Sequence, residues 1–405
     1  THFSPFYINQ ILYKDSVIHQ LEKPILVQSN SKSANTAEEF ELVLPQTLVR
    51  KKKFTERVKV GYSMIGGTEV FVSSPFPWSE SSFAQATAIL KARKSNYNEF
   101  LFLEVTDRSV TIPAGNWAIS KLLTIDASKT LVVLPGANIT LSNGASILCY
   151  GGVEMIGTSH NPISIHAKNE GQGLAVINSK KHSQLSNVNF FGLQRFKIDS
   201  WELPASVTFY NSNVTIDQCK FEKNLVGDDY LNIFRSEFML SNSEFKNCLA
   251  DAFDGDFING TINQVTFNNV GNDGIDFSGS SIKVNKVSFN GVGDKAISVG
   301  ERSQLSAQNV SIINAEIGIN SKDASVVNVS ETTIDSTRIP LIAFMKKAEY
   351  GASSIYAENV TMRNFESSYM LEGKSQIVID GEVKPATHEN VKSLLYGAEF
   401  GKSSK

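Results

Sequence analysis

A repeat of 22 residues constrains the fold of this chain more than any other feature of its sequence. Similar segments begin 22 residues apart, at Asp229, Asp251, Asp273, Lys295 and Ile317. A second column of apolar residues follows the same spacing and includes Phe245, Phe267 and Phe289. Two independent columns that share one period indicate structural units that stack on one another.

Within each unit, apolar and polar residues alternate, as in residues 282–289 (IKVNKVSF). This alternation predicts β-strands and excludes helical repeats. A 22-residue unit is too short for a propeller blade of roughly 40 to 45 residues, and it lacks the leucine-rich consensus. The sequence therefore predicts an all-β fold. We expect a single-stranded right-handed parallel β-helix with about twelve coils between residues 110 and 383, stacked about 4.8 Å apart.

The two ends of the chain do not follow the repeat. Residues 1–78 contain short alternating runs separated by polar turns, which predict a small antiparallel β-sandwich domain ahead of the β-helix of residues 79–405. The open ends of a stack of coils need to be covered. Amphipathic patterns predict helical end caps over residues 81–94 and 387–396.

Composition excludes several classes of function. The chain has 38 basic and 41 acidic side chains, so it lacks the positive field with which proteins bind nucleic acids. No apolar stretch approaches the length of a transmembrane helix. The three cysteines are too few for a disulfide framework, and we expect buried free thiols. The chain opens at Thr1 without a charged and then apolar leader, which we interpret as a mature or trimmed product.

Acidic side chains recur on three consecutive coils. The third and fifth positions of each aligned segment are mostly apolar and should face the core, so the fourth position should face outward. That outward position holds Asn232, Asp254, Asp276, Ser298 and Asn320. Carboxylates about 5 Å apart repel by about 1 kcal/mol in water, and by several times more when partly desolvated. The pattern therefore needs a compensating positive charge.

Calcium can supply that charge because it accepts roughly six to eight oxygen ligands in irregular geometry. We expect Asp251, Asp273 and Asp276, with Asn272, to bind one calcium ion. The ion would lower the pKa of Lys295 on the next coil and make it a general base. The alternative is structural, because backbone N–H groups can satisfy an aspartate column and Lys295 can simply form a salt bridge.

The repeat over residues 110–383 resembles the pectate-lyase-like superfamily of right-handed parallel β-helices. Within it, residues 272–276 (NDGID) are similar to the Asp-Asp-Gly-x-Asp calcium motif of one class of pectate lyases, with Asn272 replacing the first acid. The resemblance implies Asp251 as a further calcium ligand and Lys295 as the catalytic base. Polygalacturonases carry Gly-His-Gly and Arg-Ile-Lys segments that have no counterpart here. Hydrolysis by paired acids as in that family is therefore not expected.

Further charged and aromatic side chains near the aspartates of these three coils predict a substrate groove. They are Asp254, Asp256, Lys322, Arg302 and Trp201. The basic members would meet the carboxylates or sulfates of an anionic polysaccharide. Trp201 lies in a longer loop and would either stack on a sugar ring or pack within that loop.

Two functions remain open at this stage. The first is a secreted or cell-surface carbohydrate-engaging protein, most concretely a calcium-assisted lyase that acts on a uronic-acid polymer. The second is a non-catalytic surface rod, an adhesion or spacer module in a larger surface assembly. The clustered acids beside a lysine favour the first, and the N-terminal domain favours the second.

Overall fold

The structure is a computed structural model, and it describes residues 5–27, 44, 57–74, 94–198 and 201–397. The chain divides into two compact units, Thr1–Lys91 and Ala92–Lys405. The helix predicted over residues 81–94 lies outside the described residues, apart from Lys94.

The strands among the described residues of the first unit form an antiparallel sheet. Its strands are β1 (Phe6–Tyr13), β2 (Ser16–Val27), β3 (Val58–Met64) and β4 (Phe71–Ser73), in the order β2-β1-β3-β4. Tyr62 contacts the rings of Phe6 and Phe71 at centroid distances of 5.3 and 5.7 Å. The predicted antiparallel β-structure ahead of the repeats is thus present.

The second unit is a right-handed β-solenoid of about twelve turns, which confirms the predicted fold class. A 3₁₀ helix spans Tyr97–Glu99, and one α-helix, α1, spans Val391–Leu395. The strands are β5 (Glu104–Val105), β6 (Ser109–Ile112), β7 (Gly115–Ile119), β8 (Leu123–Ile125), β9 (Thr130–Val133), β10 (Ala137–Ser142), β11 (Ile147–Cys149), β12 (Val153–Ile156), β13 (Ile163–Lys168), β14 (Leu174–Ile177), β15 (Ser183–Ser186), β16 (Val188–Phe191), β17 (Lys197–Ile198), β18 (Trp201–Glu202), β19 (Ala205–Tyr210), β20 (Val214–Asp217), β21 (Lys220–Glu222), β22 (Asp229–Phe234), β23 (Glu237–Ser241), β24 (Glu244–Cys248), β25 (Asp251–Asp256), β26 (Asn259–Asn263), β27 (Thr266–Val270), β28 (Ile275–Ser278), β29 (Ser281–Gly300), β30 (Gln304–Lys322), β31 (Val326–Asp335), β32 (Ile339–Phe344), β33 (Ser354–Arg363), β34 (Tyr369–Leu371), β35 (Gln376–Ile379) and β36 (Glu382–Val383).

The solenoid has three faces of parallel strands, and strands on a face pair with those one coil before and after them. The short strands β5 and β36 pair antiparallel with β6 and β35, and β17 and β18 form a separate antiparallel pair. One face, which we call the floor sheet, contains β8, β11, β14, β19, β22, β25, β28, the ends of β29 and β30, β32 and β34. The long strands β29 and β30 run through all three faces. Like positions of successive coils therefore lie above one another.

The interior of the solenoid is filled by stacked apolar side chains. Phe221, Phe245, Phe267 and Phe289 form a ladder in which neighbouring ring centroids are 4.5, 4.9 and 4.7 Å apart. The rings are nearly parallel, with interplanar angles of 10° or less. All four side chains are fully buried or nearly so, so the predicted phenylalanine column is part of the core.

The C-terminal helix is shorter than the predicted span of residues 387–396. Helix α1 begins after Asn390, whose side chain accepts a hydrogen bond from the Ser393 backbone N–H at 2.9 Å. Val391 and Leu395 are its buried residues. Among the described residues, no helix has the length and apolar character needed to cross a membrane.

Candidate functional site

A column of outward-facing side chains runs along the floor sheet, with one residue from each coil. From β11 to β34, the strand register places in it Leu148, Ala175, Thr208, Asn232, Asp254, Asp276, Ser298, Asn320, Ile342 and Met370. The six middle members of this stretch are polar and the two at each of its ends are apolar; Thr124 of β8 precedes Leu148. The inward neighbours predicted from the sequence belong to the core, among them Leu231, Phe253, Ile275, Ile297 and Ile319.

Both apolar ends of this stretch are covered by other parts of the chain. At one end, Phe196, Ile198 and Trp201 of the β17–β18 hairpin pack over Leu148 and Ala175. At the other end, α1 packs over Ile342 and Met370. The six polar coils between these two walls form a surface that we call the cleft, and its first and last coils are about 24 Å apart at about 4.8 Å per coil.

A second column of charged side chains lines the cleft at the entry to the floor strands. Asp229, at the start of β22, lies beside the cleft, because in addition to burial the charge of Asp276 raises its pKa, and its own charge raises that of Asp254. Asp229 pairs in register with Asp251. Asp251 accepts a hydrogen bond from the Asp273 backbone N–H at 2.8 Å, and Asp273 accepts one from the Lys295 N–H at 3.0 Å. The residues predicted to stack on successive coils therefore do so.

Lys295 lies between two carboxylates. Its Nζ is 3.3 and 3.4 Å from the two oxygens of Asp273, and it also donates to Asp294. Burial alone would lower the pKa of Lys295, but Asp273 and Asp294 raise it well above its usual value. The general-base role predicted for Lys295 needs a shift in the opposite direction, and in this arrangement the side chain is a cation at neutral pH.

Lys322 reaches back across two coils of the floor. Its Nζ donates to Ser298 Oγ at 3.0 Å and to Asp276 Oδ1 at 3.3 Å. Its aliphatic chain lies over Gly300, where a Cβ atom would be 2.6 Å from Lys322 Cε. Glycine at this position therefore leaves the space through which the lysine reaches Asp276.

The carboxyl groups of the cleft have very different proton affinities. Burial, together with the neighbouring acids, raises the pKa of Asp229, Asp251 and Asp254 well above the usual range. The same causes raise the pKa of Asp256 to about 6. Asp276 is the exception, because Lys322 and Lys295 outweigh its burial and lower its pKa. Adjacent coils thus hold one carboxyl group with a raised pKa and one with a lowered pKa.

The predicted calcium ligands lie on neighbouring coils, but other groups contact their oxygens. Asn272 Nδ2 donates to Asp251 Oδ1 at 2.5 Å, Lys295 contacts Asp273, and Lys322 contacts Asp276. Within the described part of the chain, no group of three His, Cys, Asp or Glu side chains is arranged to hold a metal ion. In this arrangement the ammonium groups of Lys295 and Lys322 make the contacts with Asp273 and Asp276 that a calcium ion would make. Calcium binding stays a prediction.

The residues predicted to line a groove lie in different places. Asp254 and Asp256 face the cleft in register with Asp276 and Ser278. Trp201 belongs to the hairpin wall and contacts Phe196 edge to face, with ring centroids 5.4 Å apart. Arg302 lies in the turn after β29, with its guanidinium 5.9 Å from the centre of the Tyr350 ring.

Some residues of the site were not recognised from the sequence. The wall formed by α1 was predicted only as an end cap, and the contact between Lys322 and Asp276 joins residues 46 positions apart. One sequence signal was available, because Gly300 stands 22 residues before Lys322 in the repeat. A glycine one coil below a lysine leaves room for that lysine to fold back.

A comparison with protein families identifies the group to which these coils belong. The family model described as "Rhamnogalacturonase A/epimerase, pectate lyase-like" matches residues 105–320. The chain belongs to this family. The matched range includes most of the cleft, from Thr208 to Asn320, and it confirms the resemblance to the pectate-lyase-like superfamily. A comparison with the curated proteins found no match.

Several solved structures are distantly similar to the chain. An alginate lyase from Paenibacillus sp. str. FPU-7 is 12% identical, with a TM-score of 0.36, over 60% of this chain and 93% of that protein. Pectate lyase Pel9A is 12% identical, with a TM-score of 0.33, over 66% of this chain and 74% of its own. PfbA, a surface adhesin of Streptococcus pneumoniae, is 11% identical, with a TM-score of 0.28, over 70% of this chain and 92% of that protein. These similarities are too distant to inform the chemistry of the cleft.

Proposed function

We propose that this protein cleaves a glycosidic bond of a polysaccharide in the cleft, with Asp254 as proton donor and Asp276 as the carboxylate that acts beside it. One observation carries the proposal: Asp254 and Asp276 lie in register on adjacent coils in opposite environments, since Lys322 pairs with Asp276, whereas Asp254 lies among other aspartates that raise its pKa. Environments that separate the pKa values of two neighbouring carboxyl groups are typical of acid and base pairs in enzymes. The family to which the chain belongs supports a polysaccharide substrate.

Asp254 has the properties of a general acid. Its burial and the surrounding aspartates raise the pKa of the carboxyl group well above its usual value, which favours the protonated form. Asn232 Nδ2 donates to Asp254 Oδ2 at 2.8 Å, which orients the carboxyl group. In the proposed reaction, Asp254 donates its proton to the glycosidic oxygen while the bond between that oxygen and the anomeric carbon breaks.

Asp276 has the complementary properties. Lys322 keeps the carboxylate ionised, and 26% of the side-chain surface remains exposed in the cleft. Its negative charge would stabilise the positive charge that develops at the anomeric carbon. In the proposed reaction, Asp276 accepts a proton from the water that attacks this carbon. Water is consumed, two sugar chain ends form, and proton exchange with solvent restores both side chains.

The test is release of reducing sugar from a panel of polysaccharides by the wild type and by Asp254→Asn and Asp276→Asn. Each substitution should lower the rate by about 10² to 10⁴, the usual contribution of a general acid or base. Asp107→Asn is a matched control, because Asp107 is an exposed aspartate outside the cleft. Circular dichroism would verify that all variants are folded. Full activity of Asp254→Asn would refute the assignment.

A calcium-assisted lyase that acts on a uronic-acid polymer is the second candidate. It is supported by the position of Asp251, Asp273 and Asp276 on neighbouring coils beside Lys295. A lyase would produce unsaturated sugar ends that absorb ultraviolet light. It would require calcium and would lose activity in Lys295→Gln. Hydrolysis that is unaffected by a calcium chelator would exclude this candidate.

Both enzymatic candidates would act on extracellular glycans, so we propose a secreted or cell-surface location. The non-catalytic surface rod makes a distinct prediction: no polysaccharide of the panel would be cleaved, with or without calcium. Retained glycan binding in Asp254→Asn and Asp276→Asn, without turnover in the wild type, would then support an adhesion or spacer module.

A further inference from the structure

The cleft carries more carboxyl groups than cations. The aspartates that line it are Asp229, Asp251, Asp254, Asp256, Asp273 and Asp276. On the same outer side of the floor strands lie the ammonium groups of Lys295 and Lys322. Lys347, which follows the floor strands, pairs with Glu301, and its charge also acts on Asp256. Lys322 was predicted to contact an anionic polysaccharide, so its actual contacts determine what the cleft can bind.

Lys295 and Lys322 serve as counterions of the protein's own aspartates. The Lys295 side chain is 9% exposed and pairs with Asp273 and Asp294. The Lys322 side chain is 8% exposed and pairs with Asp276. Because Lys322 lies over Gly300, its ammonium is directed down into the floor. Neither cation can contact a sugar carboxylate without leaving a buried aspartate unpaired, which is strongly unfavourable.

A negatively charged sugar would therefore meet repulsion in this cleft. The aspartates already raise one another's pKa: Asp251 acts on Asp229, and Asp276 acts on both Asp254 and Asp256. A sugar carboxylate beside them would experience the same repulsion in a partly desolvated site. An uncharged sugar would not.

Buried polar groups in the same columns lack hydrogen-bond partners. Among the described residues, none forms a hydrogen bond with Thr208 Oγ1, Asp229 Oδ2 or either polar atom of the Asn320 amide, and all three side chains are at least 97% buried. Thr208 and Asn320 are the first and last of the six polar residues along the cleft. A sugar hydroxyl both donates and accepts hydrogen bonds, so it suits this set of groups.

From these contacts we infer that the sugar residue bound over Asp254 and Asp276 is uncharged. The inference rests on the proposed function, because it concerns the substrate of the same site. It excludes a uronate with a free carboxylate at the point of cleavage. Neutral hexoses, deoxyhexoses and esterified uronates are the classes of sugar that the cleft accepts.

The experiment compares ligands that differ only in charge. Oligogalacturonate and its methyl ester form one pair, and glucuronan and alginate oligosaccharides with their carboxyl-reduced forms provide two more. The wild-type protein should cleave the uncharged member of at least one pair with a kcat/KM at least about tenfold higher. The preference should decrease as salt is added, because salt screens the repulsion.

Asp256→Asn provides a second measurement, because it removes one carboxyl group of the cleft and leaves the side chains of Asp254 and Asp276 in place. The preference for the uncharged member should decrease in this variant and stay unchanged in the control Asp107→Asn. Equal rates on both members, or a preference for the charged member, would overturn the inference and leave the proposed function in place. If no polysaccharide or oligosaccharide is cleaved, both fail.

Discussion

Replacing Lys322 by methionine would leave Asp276 without its counterion. Removing one partner of a fully buried ion pair typically costs about 3 to 5 kcal/mol, and an exposed pair contributes about 0 to 1 kcal/mol. The Lys322 side chain is 8% exposed and that of Asp276 is 26% exposed, so this pair lies nearer the buried limit. We expect Lys322→Met to lower the free energy of unfolding at pH 7 by about 2 to 4 kcal/mol.

The effect should depend on pH in a defined direction. Lys322 lowers the pKa of Asp276 in the folded protein, whereas the unfolded value is about 3.9. The pair therefore stabilises the fold above about pH 4, and this contribution is lost as the pH falls through the folded pKa. Urea unfolding followed by circular dichroism at several pH values should show a large difference between wild type and variant at pH 7 and a smaller one at pH 3.

Two glycine substitutions provide matched controls for this reasoning. In Gly300→Ala, the new Cβ atom would displace the Lys322 side chain, so this variant should show a smaller effect with the same pH dependence. In Gly373→Ala, no atom lies within 4 Å of the new Cβ, so the midpoint of urea unfolding should hardly change. If Lys322→Met were equally destabilised at pH 3 and pH 7, the lysine would act through packing, and the electrostatic argument would be refuted.

Two further predictions concern the acidic cleft and the core. Burial and nearby acids raise the pKa of Asp256 to about 6, so its protonated form stabilises the fold below about pH 4 and this contribution is lost as the pH rises through about 6. The thermal midpoint of Asp256→Asn should therefore decrease less than that of the wild type between pH 4 and pH 7, and parallel curves would contradict this. Phe267 lies fully buried within the phenylalanine ladder, so Phe267→Ala should cost about 3 to 5 kcal/mol. Phe191→Ala should lower the free energy of unfolding by less than about 1 kcal/mol, since 46% of Phe191 is exposed. If urea unfolding shows equal losses for Phe267→Ala and Phe191→Ala, the assignment of Phe267 to the core is refuted.

Much of the cleft floor could be predicted from the 22-residue period. In a parallel stack, residues one period apart must lie above one another, because the strands pair in register. This relation alone places Asp254 beside Asp276 and brings Asp251, Asp273 and Lys295 together, as the structure has them. The alternation within each unit likewise separates the core from the outer surface.

The chemistry of the cleft depends on tertiary structure. The hairpin and α1, which enclose the cleft, lie far apart in the sequence and meet the floor through side-chain packing that no local pattern encodes. The path of Lys322 over Gly300 depends on a side-chain conformation, and it places the ammonium group that lowers the pKa of Asp276, while burial and neighbouring aspartates raise the pKa of Asp254. Periodicity determines which residues are neighbours. Burial and the direction of long side chains determine their charge, because both depend on atoms contributed by other coils.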